Sequence, residues 1–192
     1  LDTMKWVAKA NHIPEIATLA AKLAKILRTS ISSAQFITLQ EEMTLVESYA
    51  KIQKIRFNGK FDFRYEIAPE TEEILVPKLI VQPIVENALF HGIVPKTGPG
   101  MIIILAYHDK GRLCICVQDN GVGMGEENLQ AVLQDKKLTT GTQRKIGVGN
   151  VRNRIQYIYG EEYGLEIKSI LDVGTSVILR LPCEYEEKKE NM

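Results

Sequence analysis

Gln82-Pro83-Ile84-Val85-Glu86-Asn87-Ala88-Leu89-Phe90-His91-Gly92 is an apolar helix interrupted by polar groups at regular steps. Ile84, Ala88 and Leu89 face a core, whereas Asn87 and His91, four residues apart, share one face. A carboxamide oxygen and an imidazole displayed together can hold a hydrated Mg²⁺ and a phosphate oxygen. In isolation the same pair is ordinary helix-surface and C-terminal capping chemistry. Downstream, Asp119-Asn120-Gly121-Val122-Gly123-Met124-Gly125 directly follows a strand. Its alternating glycines let the backbone approach a ligand closely, and Asp119 at the strand end can accept a hydrogen bond from an exocyclic amine such as adenine's. Taken singly, Asp-Asn-Gly is a turn. Gly147-Val148-Gly149-Asn150-Val151-Arg152-Asn153-Arg154 sets glycines at a helix start, where free N–H groups and the helix dipole attract phosphate. The plainer reading is a flexible loop feeding an amphipathic helix. Gly174-Thr175 at a later hairpin is, by itself, only a turn.

Outward from these segments, residues 1–57 read as helices. Pro14 suits a first helical turn, and Ile16, Leu19, Ala20, Leu23, Ile26 and Leu27 recur at three- and four-residue steps. Thr38 with Glu41 forms a capping-box signature for a second helix reaching Arg56, and Asn58-Gly59 marks its end. From Lys60 the period becomes two, with Phe61, Phe63, Tyr65 and Ile67 opposite Asp62, Arg64 and Glu66. A helix is expected over 77–91. Strands over 102–108 and 113–118 join through Asp109-Lys110-Gly111, and a short helix follows near 126–134. Then come a polar stretch to Lys145, a helix over 149–159, and a hairpin joining 164–170 to 175–181. Hairpins with interspersed helices predict an α+β two-layer sandwich, with helices on one face of a mixed, mostly antiparallel sheet.

With 45% hydrophobic and 25% charged residues, the 192-residue chain has a globular composition with room for one sizeable core. Its 24 basic and 24 acidic residues cancel, which argues against nucleic acid as a partner. The three cysteines cannot all pair, and Cys114 and Cys116 alternate along a strand, so they are expected to be reduced in a cytosolic setting. No apolar run reaches 18 residues and no leader pattern opens the chain, so the chain as given is expected to be soluble.

Asn-x-x-x-His, Asp-x-Gly-x-Gly, a glycine-containing helix start and Gly-Thr at the penultimate turn resemble, in order and spacing, the asparagine box and three glycine boxes of the GHKL nucleotide-binding superfamily. More closely, Gln82-Pro83, Glu86-Asn87-Ala88 and His91-Gly92, with Tyr49, Ile52-Gln53 and Arg56-Phe57 upstream, look like the sensor histidine kinases related to the autolysin sensor and two-component sugar sensors. The resemblance spans all but the charged tail. It implies the GHKL-type ATP-binding fold over 58–183. Ahead of it, 1–57 would be the C-terminal part of a helical dimerisation and phosphotransfer domain, and 184–192 is a charged tail.

The resemblance further implies ATP and Mg²⁺ as cofactors, with Asn87 as the metal ligand and His91 near the phosphates. Asp119 would bind the adenine amine, Gly121 and Gly123 would bring the loop close to the base, and Thr175 would support Asp119. Residues 135–145 would form a lid, hinged at Gly147 and Gly149, which also donate to phosphate. Arg152 or Arg154 would add positive charge there, unless they form a solvated helix face. Glu86 could assist proton transfer, although one residue of helix rotates it roughly 100° from Asn87.

Two departures stand out: Lys145 occupies the place of a family glycine, and Pro83 stands where the superfamily's hydrolytic ATPases carry a water-activating glutamate. Proline cannot act as a base, which disfavours ATP hydrolysis. The implied activity is transfer of the ATP γ-phosphoryl to a histidine and then to a response regulator, in a homodimeric parent anchored in the membrane with this part cytoplasmic. In this branch the acceptor motif reads Pro-His-Phe-Leu-Tyr-Asn. The chain opens at Leu1-Asp2, so the acceptor is expected to be missing. His12 in Asn11-His12-Ile13-Pro14 reads as an exposed joint, and His108 as a solvated strand end. The rival readings are a serine kinase of the anti-sigma type and a degenerate docking module, the latter favoured by Lys145.

Overall fold

The computed structural model describes residues 34–133 and 147–183. The first helical stripe with His12, the expected lid with Lys145, and the charged tail lie outside the described residues.

Strand β1 (Phe36–Thr38) leads into helix α1 (Leu39–Arg56). The capping box forms as the sequence predicts: Thr38 Oγ1 accepts the Glu41 N–H at 3.2 Å, and the Thr38 N–H donates to Glu41 Oε2 at 3.2 Å. Asn58 and Gly59 then take left-handed φ of 50° and 70°, which ends the helix and turns the chain into β2 (Phe61–Ile67). The alternation read from Phe61 onward holds, with Phe61 buried and Asp62, Arg64 and Glu66 exposed.

The expected helix over 77–91 is corrected at both ends. Pro77 closes a three-residue strand, β3 (Leu75–Pro77), which pairs antiparallel with β1, and helix α2 (Gln82–Asn87) begins five residues later. Proline suits a ribbon end as well as a helix start, and the intervening turn contains Leu79 at φ 59°, which no helix can include. At its other end α2 widens into a π-helical turn over Ala88–Ile93, with the Val94 N–H donating to the Leu89 carbonyl at 2.8 Å. Such turns occur often at functional sites.

Strands β4 (Gly100–Asp109) and β5 (Arg112–Asp119) form the first hairpin, turning at Lys110 and Gly111 with φ 49° and 78°. Helices α3 (Glu126–Leu133) and α4 (Gly147–Tyr159) precede the closing hairpin of β6 (Gly164–Ile170) and β7 (Gly174–Pro182). The five-stranded sheet runs β2-β4-β5-β7-β6; only the β2–β4 pair is parallel. That single parallel pair requires a crossover, and α2 lies within it. The helices cover one face of this mixed, mostly antiparallel sheet, as the sequence predicts. Ile102, Ile104, Ile115 and Leu179 from the sheet, Ile84 and Leu89 from the crossover, and Ile155 from α4 share one core. Leu39, Met43, Val46 and Tyr49 of α1 are buried in that same core. Among the described residues no helix is long and apolar enough to cross a membrane.

Candidate functional site

Helices α2 and α4 face each other across an open cleft of about 440 Å³. Glu86, Asn87, Phe90 and His91 line it from α2 and its π turn, while Gly147, Asn150, Val151 and Arg154 line it from α4. Leu79, Ile80 and Pro83 also line it. The structure therefore brings Glu86, Asn87, His91 and Gly147 together along one cleft. The Asn87 amide nitrogen is buried and meets no hydrogen-bond partner among the described residues. A buried amide left this way is costly and stands ready for a partner. Gly147 is a packing requirement here, since a Cβ on it would lie 2.5 Å from Asn87 Nδ2. Gly149 belongs to the same helix start but is not among the cleft-lining residues. The Glu86 carboxylate accepts from Gln82 Nε2 at 2.9 Å.

The arginines that the sequence offered for the phosphates are both engaged by carbonyls. Arg152 donates to Leu133 O at 3.0 Å, and Arg154, on the cleft wall, donates to Lys78 O at 2.7 Å.

Asp119 lies beyond the π turn at the end of β5, and Gly92 joins the two regions. A Cβ on Gly92 would fall 2.6 Å from Asp119 Oδ1, and one on Gly121 would fall 2.3 Å from the Gly92 carbonyl carbon. The Gly92 carbonyl accepts the Val122 N–H at 3.0 Å, which ties the glycine loop to the Asn87 helix. Asp119 is 6% exposed, and its Oδ1 accepts the Gly121 N–H at 2.8 Å. Burial raises its carboxyl from 3.8 to about 6, partly opposed by the backbone N–H groups of Gly121 and Thr175 and by the charge of Lys96. Thr175 thus supports Asp119 through its backbone. Its hydroxyl lies 2.8 Å from Ser169 Oγ, which also accepts the Met124 N–H and donates to the Gly174 carbonyl.

Sequence reading missed Ser169 and Lys96, which brace the loop from outside; Lys96 donates to the Asn120 carbonyl at 2.5 Å. It also missed Glu42, a buried carboxylate on α1. A lone serine on a strand and a lone lysine in a turn carry no sequence signal, and Glu42 in a first helical turn reads as an exposed partner of the helix dipole.

The Asp119 shift gives a pH dependence with a defined sign. Its folded value lies above its ordinary one, so the carboxyl favours the folded chain fully below pH 3.8 and loses that contribution as pH rises through about 6. Over this window Asp119→Asn should flatten the stability profile by up to about 3 kcal/mol relative to the parent chain, as measured by urea denaturation. Parallel profiles for the two proteins would contradict the burial argument.

The comparisons with known proteins point to one family. The family model described as histidine kinase-, DNA gyrase B-, and HSP90-like ATPase matches residues 73–185, and a histidine kinase model matches residues 1–61. The sensor histidine kinase YesM of Bacillus subtilis is 38% identical over 187 residues, covering 97% of this chain and 31% of that protein. The sensor protein LytS of Staphylococcus haemolyticus is 29% identical, covering 85% of this chain and 28% of that protein. The chain therefore spans about a third of the length of these relatives. The nucleotide-free catalytic domain of histidine kinase ThkA superposes with a TM-score of 0.57 at 19% identity, covering 79% of this chain and 97% of that one. The histidine kinase domain of a blue-light activated kinase from Erythrobacter litoralis gives 0.54 at 15% identity, covering 91% and 82%. Both likenesses establish the fold. The chain belongs to the histidine kinase-, DNA gyrase B- and HSP90-like ATPase family, within its sensor histidine kinase branch.

Proposed function

We propose that this chain binds ATP with Mg²⁺ in the cleft between α2 and α4, as the catalytic part of a two-component sensor. The intact protein passes the γ-phosphoryl group to a histidine and then to an aspartate of a response regulator. The observation that carries the reading is the Asn87 amide nitrogen, a buried donor on the cleft wall with no partner among the described residues, which suits a phosphate oxygen and leaves the amide Oδ1 for the metal.

The residues present fit such a nucleotide. Glycines at 92, 121 and 147 leave space that a single Cβ would fill, and the Asp119 carboxylate, with about four lone-pair sites, has acceptor capacity beyond the N–H groups of Gly121 and Thr175. Asn87 would hold the metal and His91 would face the phosphates. When bound, Mg²⁺ neutralises phosphate charge, which phosphoryl transfer chiefly requires. Asp119 accepts the adenine amine, and the Gly121–Gly123 loop gives the base its close approach. Gly147, in the first described turn of α4, brings its backbone to the cleft wall, where helix N–H groups favour phosphate. Glu86 is the carboxylate in the cleft that can take a proton from the acceptor imidazole. Pro83 supplies no base for water, so transfer to an imidazole is favoured over hydrolysis. The intact protein is read as a homodimeric membrane sensor with this part in the cytoplasm.

Calorimetric titration with Mg·ADP and a non-hydrolysable ATP analogue is expected to give micromolar binding. Asn87→Ala should weaken it about tenfold or more, as expected for a lost ligand to a charged group. With labelled ATP, a separate polypeptide carrying a Pro-His-Phe-Leu-Tyr-Asn segment should acquire acid-labile label. No nucleotide binding by the folded chain overturns the reading; binding without label overturns the transfer step alone.

A further inference from the structure

The turn from Lys78 to Val81 is gripped from two sides. Glu42 on α1 is fully buried, and its two carboxylate oxygens accept the N–H groups of Leu79 at 2.8 Å and Val81 at 2.9 Å. Arg154 on α4 holds the same turn through the Lys78 carbonyl at 2.7 Å. Leu79 sits at φ 59°, a left-handed conformation that side-chain-bearing residues rarely adopt and that surrounding structure must enforce. Val81, the residue before α2, offers no side-chain cap. The N–H of Val81, at the start of that helix, is therefore taken up by Glu42.

What the turn controls is the cleft. Leu79, Ile80 and Pro83 line it, and Glu86 and Asn87, which also line it, follow about one turn further along α2. Glu42 is not itself a lining residue. Helix α1 runs alongside α2 in the same direction. At seven-residue steps, Glu42 meets the turn, Tyr49 lies within electrostatic range of Glu86, and the Arg56 guanidinium sits 5.9 Å from the Phe90 ring centre. Glu42 is the end of this ladder at which direct bonds to the turn are made.

We propose that Glu42 is a positioning residue of the nucleotide cleft: by holding the Leu79 and Val81 amides it fixes the turn from which α2 presents Glu86 and Asn87. The proposal rests on the nucleotide reading of that cleft.

The test is a mutant cycle with two readouts, Mg·ADP affinity by calorimetry and folding by circular dichroism, at a temperature where every variant is folded. Glu42→Gln keeps the side chain's size but turns an amino group onto one of the two backbone donors. It should weaken Mg·ADP about tenfold, the order expected when one buried backbone donor loses its acceptor. Leu79→Gly removes the conformational strain that Glu42 restrains, so in that background the same change should cost only about threefold. Should Glu42→Gln fail to fold, Glu42→Asp keeps the charge, retracts it by one methylene, and should show a smaller loss of the same kind.

Wild-type affinity in a folded Glu42→Gln or Glu42→Asp variant, even with a lower melting temperature, would reduce Glu42 to a structural prop and overturn the proposal. Equal losses in both Leu79 backgrounds would overturn the route through the turn. A wild-type chain that binds no Mg·ADP would overturn the nucleotide reading itself, and the proposal with it.

Discussion

Asp119→Asn is expected to weaken nucleotide binding roughly a hundredfold while raising the stability of the nucleotide-free chain at neutral pH by about 1–3 kcal/mol. The two effects have opposite signs because one group carries both. Asp119 is 6% exposed, and burial pushes its carboxyl up to about 6, so at pH 7 the folded chain holds an ionised group in a setting that disfavours the charge. Asparagine removes that cost and still offers an oxygen to the Gly121 N–H, 2.8 Å from Oδ1 in the parent. It presents donors, however, where the adenine amine needs an acceptor. A residue that costs stability and earns function is the usual signature of a binding group. Calorimetric titration and urea denaturation of the same preparation check both halves. Binding retained within about twofold, or stability that falls, would show that Asp119 serves the fold rather than the ligand.

Much of this arrangement is legible in the chain itself, for reasons that differ by element. The capping box at Thr38 and Glu41, the alternation from Phe61, and the turns at Lys110-Gly111 and Asp172-Val173-Gly174 are local signals, satisfied by residues within a few positions of one another. The β1–β3 ribbon is not local. Its strands are three residues long, too short for alternation to register, and they pair between distant parts of the chain, Phe36 with Pro77 and Thr38 with Leu75. The start of α2 is not legible in the sequence because Pro77 suits a strand end and a helix start equally well, and the tertiary contacts, the pairing of Pro77 with Phe36 and the Leu79 N–H donated to Glu42, decide between them. The π turn has no residue signature.

At the site, residue types were readable but their grouping was not. Asn87 and His91 share a helix face with Glu86 close by, a relation that sequence spacing conveys. That Gly92 is the wall between this face and Asp119 depends on how the π turn packs against the end of β5, which spacing cannot convey. Glu42 illustrates the limit most clearly. Acidic residues in a first helical turn are usually solvated, and burial of this one follows from the turn it caps, 37 residues downstream of it in the chain.

Gly123→Ala should destabilise the chain by about 3 kcal/mol, lowering its melting temperature by roughly 6–12 °C, whereas Gly125→Ala two residues on should change stability by less than about 0.5 kcal/mol. The two glycines lie in the same loop, so the contrast isolates geometry from composition. Gly123 takes φ 61°, which alone costs a side-chain-bearing residue about 1 kcal/mol. A Cβ there would also lie 1.9 Å from the Ile170 carbonyl oxygen and 3.1 Å from that of Gly174. Neither is the end of a flexible side chain. Ile170 pairs with Gly174 across the β6–β7 hairpin, and the Asp172 N–H donates to the Val122 carbonyl at 2.7 Å, so the hairpin cannot retreat without breaking its tie to the loop. Gly125 has nothing within 4 Å of its would-be Cβ. The strain at Gly123 would propagate to the site, because Gly174 packs directly on the Asp119 carbonyl; a Cβ on Gly174 would lie 2.0 Å from that oxygen. Nucleotide affinity should therefore fall together with stability in Gly123→Ala, in contrast to Asp119→Asn, where the two move apart. Equal melting temperatures for the two alanine variants would mean that the loop has slack, and that its glycines serve ligand approach alone.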